Sequence, residues 1–240
     1  MPAAPAAKTV AILQPGYLPW LGFFDQLARS DVFVVYDDVQ FDKHGWRNRN
    51  RIKSPAGPHW LTVPVLHTGK NLPANQAVEI DNTRSWARKH VGSIRQFYSH
   101  APHLTRYLPE LEELLQRRWT LLIDIDLATT ALLARWLGLE RPLVRASELA
   151  LAGGQSERLL NYCLHFGATR YLSGVAARDY LDTALFVRHG IEVVWQDYRH
   201  PVYPQQHEPF VSHLSALDLL LNCGEQSRSL LLSGTPTPPS

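Results

Sequence analysis

The 240-residue chain has only two cysteines, Cys163 and Cys223, too few for a disulfide framework. It also lacks a long apolar run. The best candidate, TLLIDIDLATTALLARWLG, is broken by Asp124 and Asp126, whereas a membrane helix needs roughly 20 predominantly apolar residues. No charge sign dominates: 24 Lys and Arg face 22 Asp and Glu, so net charge gives no polyelectrolyte role and local charge must be read instead. The opening MPAAPAAKTV has neither a basic start nor an apolar core, unlike a secretory signal. His100 and His103, like Cys163 and His165, lack a matching second pair, and H-E-x-x-H is missing, which argues against a zinc site. G-x-S-x-G is missing as well. These absences together predict a cytoplasmic protein with free thiols and no membrane partner.

Aromatic residues are plentiful instead: seven Trp and nine Tyr, with eleven His. Several sit beside prolines and glycines rather than on a helical stripe. Stiff aromatic loops commonly form pockets, although core filling is the ordinary use of such residues.

Short apolar runs predict buried strands at VAIL (10–13), in DVFVVYDD through Tyr36, at WLTVPV (60–65), LVRA (143–146), RYLS and IEVVWQ (191–196). Helices are expected from Trp20 to Arg29, over SWARKHVGSIRQFY, LTRYLPELEELLQRR and the run around Ala128 to Leu137. Others are expected over SERLLNYCLHFG with Ser156 as N-cap, ARDYLDTALFVRHG and LSALDLLLN. Strands and helices alternate at both ends around a helical block. The expected fold is therefore α/β, a mostly parallel, Rossmann-like sheet with a helical insertion in the middle of the chain. Residues 1–8 are read as a disordered N-terminus, 9–224 as one domain and 225–240 as a flexible tail.

Ligands of such sheets bind where strands exit into loops. Gln14, Tyr17 and Trp20 follow the first strand, in a loop stiffened by Pro15 with Gly16 permitting a tight path. Packing of the helix onto the sheet is the alternative use of Tyr17 and Trp20. Asp37, Asp38 and Gln40 follow the second strand; one of the aspartates is a candidate general base, and a strand-end turn is the plainer reading. DKHGWRNRNRIK (42–53) is the densest basic stretch. Its Lys43, Arg47, Asn48 and Arg49 are candidate anion ligands, against a merely solvated face. Ser173 follows RYL, as a ligand hydrogen bond or helix cap. His200, a candidate acid or base, and Tyr203 lie in a proline-stiffened loop beyond IEVVW. Ser215 and Asp218 fit an S-x-x-D capping arrangement.

QPGYLPWLGFFDQ, SDVFVVYDDVQF, WRNRNRIK, WLTVPV, YLSG with the later YLD, GIEVVWQDYRHPVYPQ and LSALDLLLNCG, in that order, resemble the WbqC-like protein family over residues 9 to 224. The resemblance implies a cytoplasmic protein of O-antigen or natural-product biosynthesis acting on a small activated metabolite such as an amino sugar. The expected function is a transferase making an amide or ester bond, with Asp37, Asp38 or His200 accepting a proton and Gln14, Tyr17 and the WRNRNR stretch holding the anionic partner. That partner is expected to be a nucleotide sugar, a phosphate or a carboxylate ester, with an aminoacyl-tRNA or carrier-bound donor as a further option. Two alternatives stand beside it: a non-catalytic binding protein, and a nucleotidyltransferase-like enzyme. The latter family's H-x-G-H is replaced here by Pro19-Trp20-Leu21-Gly22.

Overall fold

Along TVAIL, successive side chains fall on opposite faces of a strand. Val10 and Ile12 join one hydrophobic core, Ala11 and Leu13 another. The computed structural model, which describes residues 7–66, 72–139 and 141–235, repeats this division in every central strand. β1 (Thr9–Leu13), β2 (Val32–Val35), β5 (Leu143–Arg145), β6 (Arg170–Ser173) and β7 (Glu192–Trp195) form one sheet in the order β5-β2-β1-β6-β7. All four pairings are parallel. A parallel sheet is stable only with both faces covered, which is why its strands read as near-continuous apolar runs.

One face carries α1 (Leu21–Arg29), α2 (Trp86–Phe97), α3 (Leu104–Gln116), α4 (Leu122–Trp136), α8 (Ala216–Cys223) and α9 (Ser227–Ser233). The other carries α6 (Gln155–His165) and α7 (Thr183–Arg188), with the short α5 (Ala146–Leu149) beside them. Among the described residues, no helix is long and apolar enough to cross a membrane.

The stretch expected as a strand at 60–65 instead forms β4 (Gly57–Thr62), which pairs antiparallel with β3 (Arg49–Ser54) as a separate hairpin. Its pattern explains this: Asn50, Ile52 and Leu61 are buried, while Trp60 and Thr62 are exposed. Such one-sided burial suits an antiparallel ribbon, not a central parallel strand. The helix expected over ARDYLDTALFVRHG is broken into a 3-10 turn, Val175–Asp179, and α7. Asp182 restarts the helix by accepting a bond from Leu185 N (3.1 Å). Gly154, not Ser156, holds the N-cap position of α6; Ser156 Oγ accepts from Asp182 N at 2.9 Å. Ser215 does cap α8, accepting from Leu217 N at 3.2 Å. Asp218 takes no part in that cap, because its carboxylate receives Tyr98 Oη, Gln205 Nε2 and Tyr203 Oη at 2.6, 2.8 and 2.9 Å.

Part of the segment expected as a tail is helical: α9 is followed by Gly234 and Thr235, and Leu231 is fully buried. Residues 1–6 and 236–240, at the expected disordered ends, lie outside the described residues. The chain leaves β1 toward β2 on one side and reaches β6 and β7 on the other. β1 and β6 are thus neighbours across the point where strand order reverses, and the crevice outside their carboxyl ends is where sheets of this kind bind ligands.

Candidate functional site

A cavity of about 710 Å³ opens at that crevice, within the roughly 300–1,000 Å³ range typical of small-molecule sites. Leu13 and Gln14 from the end of β1 and Ser173 and Gly174 from the end of β6 line its sheet side. Pro15, Gly16, Pro19 and Trp20 form one wall, Trp46 and Arg47 lie across it, and Gln155, Leu159, Ala177 and Tyr180 stand opposite. Tyr36, Tyr171, Gln26 and His213 also line it, with apolar contributions from Ile12, Phe23 and Ala176.

The QPGY loop holds this shape through its backbone. Tyr17 N donates to Arg47 O (2.9 Å) and Arg47 Nη1 donates to Pro15 O (2.8 Å). A Cβ on Gly16 would come within 3.0 Å of Trp46 O, so glycine permits the close approach of loop and WRNRNR segment. Trp20, immediately before α1, stacks on His213 with ring centroids 5.1 Å apart and meets Tyr198 edge-on at 6.0 Å.

Polar groups on the wall are only partly satisfied. Gln26 Nε2 donates to Gln196 Oε1 (2.7 Å), whereas Gln26 Oε1 is buried with no partner among the described residues. Arg47 Nε is likewise buried and unpartnered. Burial pulls the Arg47 guanidinium below its ordinary value, with Asp126 and Asp42 opposing. Burial also pushes Asp126 well above the usual carboxylate range, with Arg47 pulling the other way. Both Asp126 carboxylate oxygens lack a hydrogen-bond partner among the described residues. His213 shares a 2.8 Å hydrogen bond between Nδ1 and Ser212 Oγ. Partial burial, then the nearby Arg51, lower its proton affinity and keep the imidazole neutral near pH 7.

Of the residues singled out from the sequence, Gln14, Trp20, Arg47 and Ser173 meet at this cavity. The others do not line it. Tyr17 is fully buried, with its hydroxyl 3.0 Å from His90 Nδ1. Asp37 is buried and engaged by Arg145 Nε (2.7 Å), Ser147 N (2.9 Å) and Ser147 Oγ (2.8 Å), which anchors the start of α5. Asp38 pairs with Arg158, whose guanidinium lies 5.4 Å over the Tyr36 ring; it therefore acts one layer behind the wall. Gln40 is exposed and bridges to Ala74. Lys43 is exposed in the following turn. Asn48 is buried and pins the chain to Val63 O through Nδ2 (2.8 Å). Arg49 donates to Gly45 O and His44 O at 3.1 and 2.5 Å. Tyr203 is buried on Asp218.

His200 also sits one layer back, its ring centroid 5.0 Å from that of His213. Its Nδ1 donates to Pro201 O (2.9 Å), and Nε2 is buried without a partner among the described residues. Burial brings its pKa down to about 4, against the Pro201 bond and with some help from His213. Ser173 Oγ is 3.5 Å from Tyr171 Oη, and among the described residues no base touches it.

Sequence reasoning passed over Gln26, Tyr36, Gln155, Tyr171, Tyr180 and His213, and included Trp46 only as the head of the WRNRNR stretch. Trp46 heads the WRNRNR segment and Tyr36 ends its apolar run, so both were within reach of a strand-exit rule. His213 carries no local signal, since only the return of residues 200–215 across the sheet brings it to Trp20.

Residues 14–230 match the model of the WbqC-like protein family. An uncharacterized protein of Mycobacterium tuberculosis is 38% identical over 226 residues that cover 93% of this chain and 97% of the relative. No solved structure matches the chain significantly. The matched span contains the cavity wall from Gln14 to His213, and the chain belongs to the WbqC-like protein family.

Proposed function

We propose that the protein is a cytoplasmic transferase that places an acyl group on the amine of an amino sugar or a similar small activated metabolite, in polysaccharide or natural-product assembly. The observation that supports this reading best is the meeting, in one cavity at the switch point, of a half-buried arginine whose Nε is buried without a partner among the described residues and a histidine held below its ordinary pKa. Arg47 provides a planar donor fork for a carboxylate or phosphate of the substrate, and Gln14 and Gln26 provide amide contacts. The amine nitrogen attacks the acyl carbon, the bond to the leaving group breaks, and the proton passes to the free ring nitrogen of His213. Catalysis then rests on positioning and electrostatics and needs no covalent nucleophile. Asp37, Asp38 and His200 support the wall in this scheme, since their groups are engaged or lie behind it.

A second reading is a protein that binds and presents its ligand unchanged; Ser173, with no base beside it among the described residues, then serves only as a ligand contact. One experiment separates the two. Pure protein is incubated with amino-sugar nucleotides and a set of acyl donors, including thioesters and aminoacyl-tRNA, and masses are followed. The transferase reading expects one amine-bearing species to gain an acyl mass, with His213→Asn slower by about 100-fold, the lower end for losing a general base. Native mass spectrometry showing retained metabolite with no conversion by any donor would replace it with the binding reading.

A further inference from the structure

The β3–β4 hairpin ends in a surface unlike a solubilising charge run. Register places Arg51 directly opposite Trp60 and Arg49 opposite Thr62, and directly opposed residues share a face. On that face Trp60 meets Trp46, ring centroids 5.0 Å apart, and each of the two residues is 42% exposed. The Arg49 guanidinium lies 4.6 Å from the Trp60 ring centre, and that of Arg51 lies 5.1 Å from Trp46 and 5.6 Å from Trp60. Two half-bare indoles interleaved with two cations offer aromatic faces and positive charge together.

The charge is uncompensated. Among the described residues, neither Arg49 nor Arg51 forms an ion pair with a carboxylate. Their side chains are steadied by backbone carbonyls instead: Arg49 on Gly45 O and His44 O, Arg51 on His213 O at 3.4 Å. A carbonyl orients a guanidinium without cancelling its charge. The platform also adjoins the cavity, because Trp46 and His213 belong to both.

We propose that this surface binds the nucleotide handle of the activated substrate, with a base stacked on Trp46 and Trp60 and the phosphates on Arg49 and Arg51, so that the reactive end enters the cavity. Stacking accepts any base because each has a π face, and a guanidinium fork fits a phosphate. The inference rests on the reading that the cavity holds the activated group. It adds the chemical class of the carrier, a nucleoside diphosphate, and the residues that recognise it.

Fluorescence and calorimetric titration of the full chain with UDP, GDP, ADP, CDP and the corresponding nucleosides tests it. At least one diphosphate should bind below millimolar concentration, its nucleoside more weakly, and added salt should weaken only the diphosphate. Trp60→Ala should reduce affinity by about tenfold, as for loss of one base–aromatic stack; Arg49→Gln should reduce both affinity and its salt dependence. Trp60→Phe, which keeps an aromatic face, should recover most of the loss, and thermal melting should show all variants folded. Failure of every diphosphate to bind at millimolar concentration, or unchanged affinity in both Trp60→Ala and Arg49→Gln, overturns the proposal. Tighter binding of tRNA than of any diphosphate in a mobility-shift assay also overturns it, by assigning the platform to RNA. Nucleotide binding without acyl transfer leaves the platform standing and removes the transferase reading; acyl transfer indifferent to Trp60 does the reverse.

Discussion

Lowering the pH should destabilise the fold through His90. This side chain on α2 is buried between the QPGY loop and the hairpin. Its Nε2 lies 3.2 Å from Thr62 O, which can only accept, so Nε2 carries the proton. Nδ1 is then the acceptor for Tyr17 Oη at 3.0 Å. A second proton would have to displace the tyrosine hydroxyl in a buried site, and burial accordingly brings the His90 pKa from 6.5 to about 4, with the Thr62 bond opposing. In the unfolded chain the same imidazole titrates near its ordinary value. Between pH 6.5 and about 4 the unfolded state therefore binds more protons, and stability falls as pH falls through that window. At about 1.4 kcal/mol per tenfold change in proton affinity, the loss is about 3 kcal/mol, a large share of the roughly 5–15 kcal/mol of a typical domain. Urea unfolding at pH 7.5, 6.5, 5.5 and 4.5 measures it. His200, lowered in the same sense, adds to the slope, so the decisive comparison is with His90→Gln, which cannot titrate. The variant should begin less stable at pH 7.5 and show the shallower slope. Parallel wild-type and variant profiles would refute the assignment of this buried pair.

Three further outcomes follow from the same geometry. Tyr17→Phe leaves His90 Nδ1 without its donor and should cost about 1–3 kcal/mol in urea unfolding, with ligand affinity unchanged, because Tyr17 supports the loop from behind. Gly22→Ala would put a Cβ 2.1 Å from the Trp20 ring; the indole must leave its stack on His213, so calorimetry should show weaker ligand binding than in the wild type. Asp126→Asn removes a carboxyl that burial pushes well upward. Such a group stabilises the fold most when protonated, and its contribution declines as pH rises above the ordinary carboxylate range. The variant should thus gain stability relative to wild type as pH rises from 4 to 7.5 in urea unfolding, and parallel profiles would remove Asp126 as the cause.

How much of this was legible in the sequence depends on whether the signal was local. The β1 and β2 runs, the helix after QPGYLP and the strand RYLS are each apolar stretches bounded by turn residues, and periodicity is enough to read them. The exit rule then finds Gln14, Trp20 and Ser173 because it depends only on where a strand ends. Asp37 and Asp38 satisfy the same rule yet serve Arg145 and Arg158, partners more than 100 residues away whose approach no spacing discloses. Arg47, Arg49 and Arg51 look equivalent in sequence. The hairpin starts at Arg49, so Arg47 stays in the loop and turns to Pro15 while the others face outward. Lys53, at the next alternate position, is instead buried against Gln205 and Pro209. Only the fold of residues 200–213 decides that.

The departures from local rules argue for the cavity independently of any resemblance. A residue with a side chain adopts positive φ rarely, at a cost of roughly 1–3 kcal/mol. Here Gln155 (φ 38°) and His213 (φ 57°) do so on the cavity wall, and Leu18 (φ 46°) does so in the loop between Tyr17 and Pro19. Buried polar atoms without partners are rare for the same energetic reason. Two of them, Gln26 Oε1 and Arg47 Nε, belong to side chains of that wall, and the carboxylate of Asp126 lies close enough to Arg47 to oppose its loss of charge. A sequence selected for stability alone would relax these positions, with glycine at 155 or 213 and an apolar residue at 126. Other such departures lie elsewhere, at Ala150, His207, Asn48 and Asn75, but those on the cavity wall are what preorganisation for a polar ligand requires: donors and acceptors held in place before binding, with the fold rather than the ligand bearing the strain.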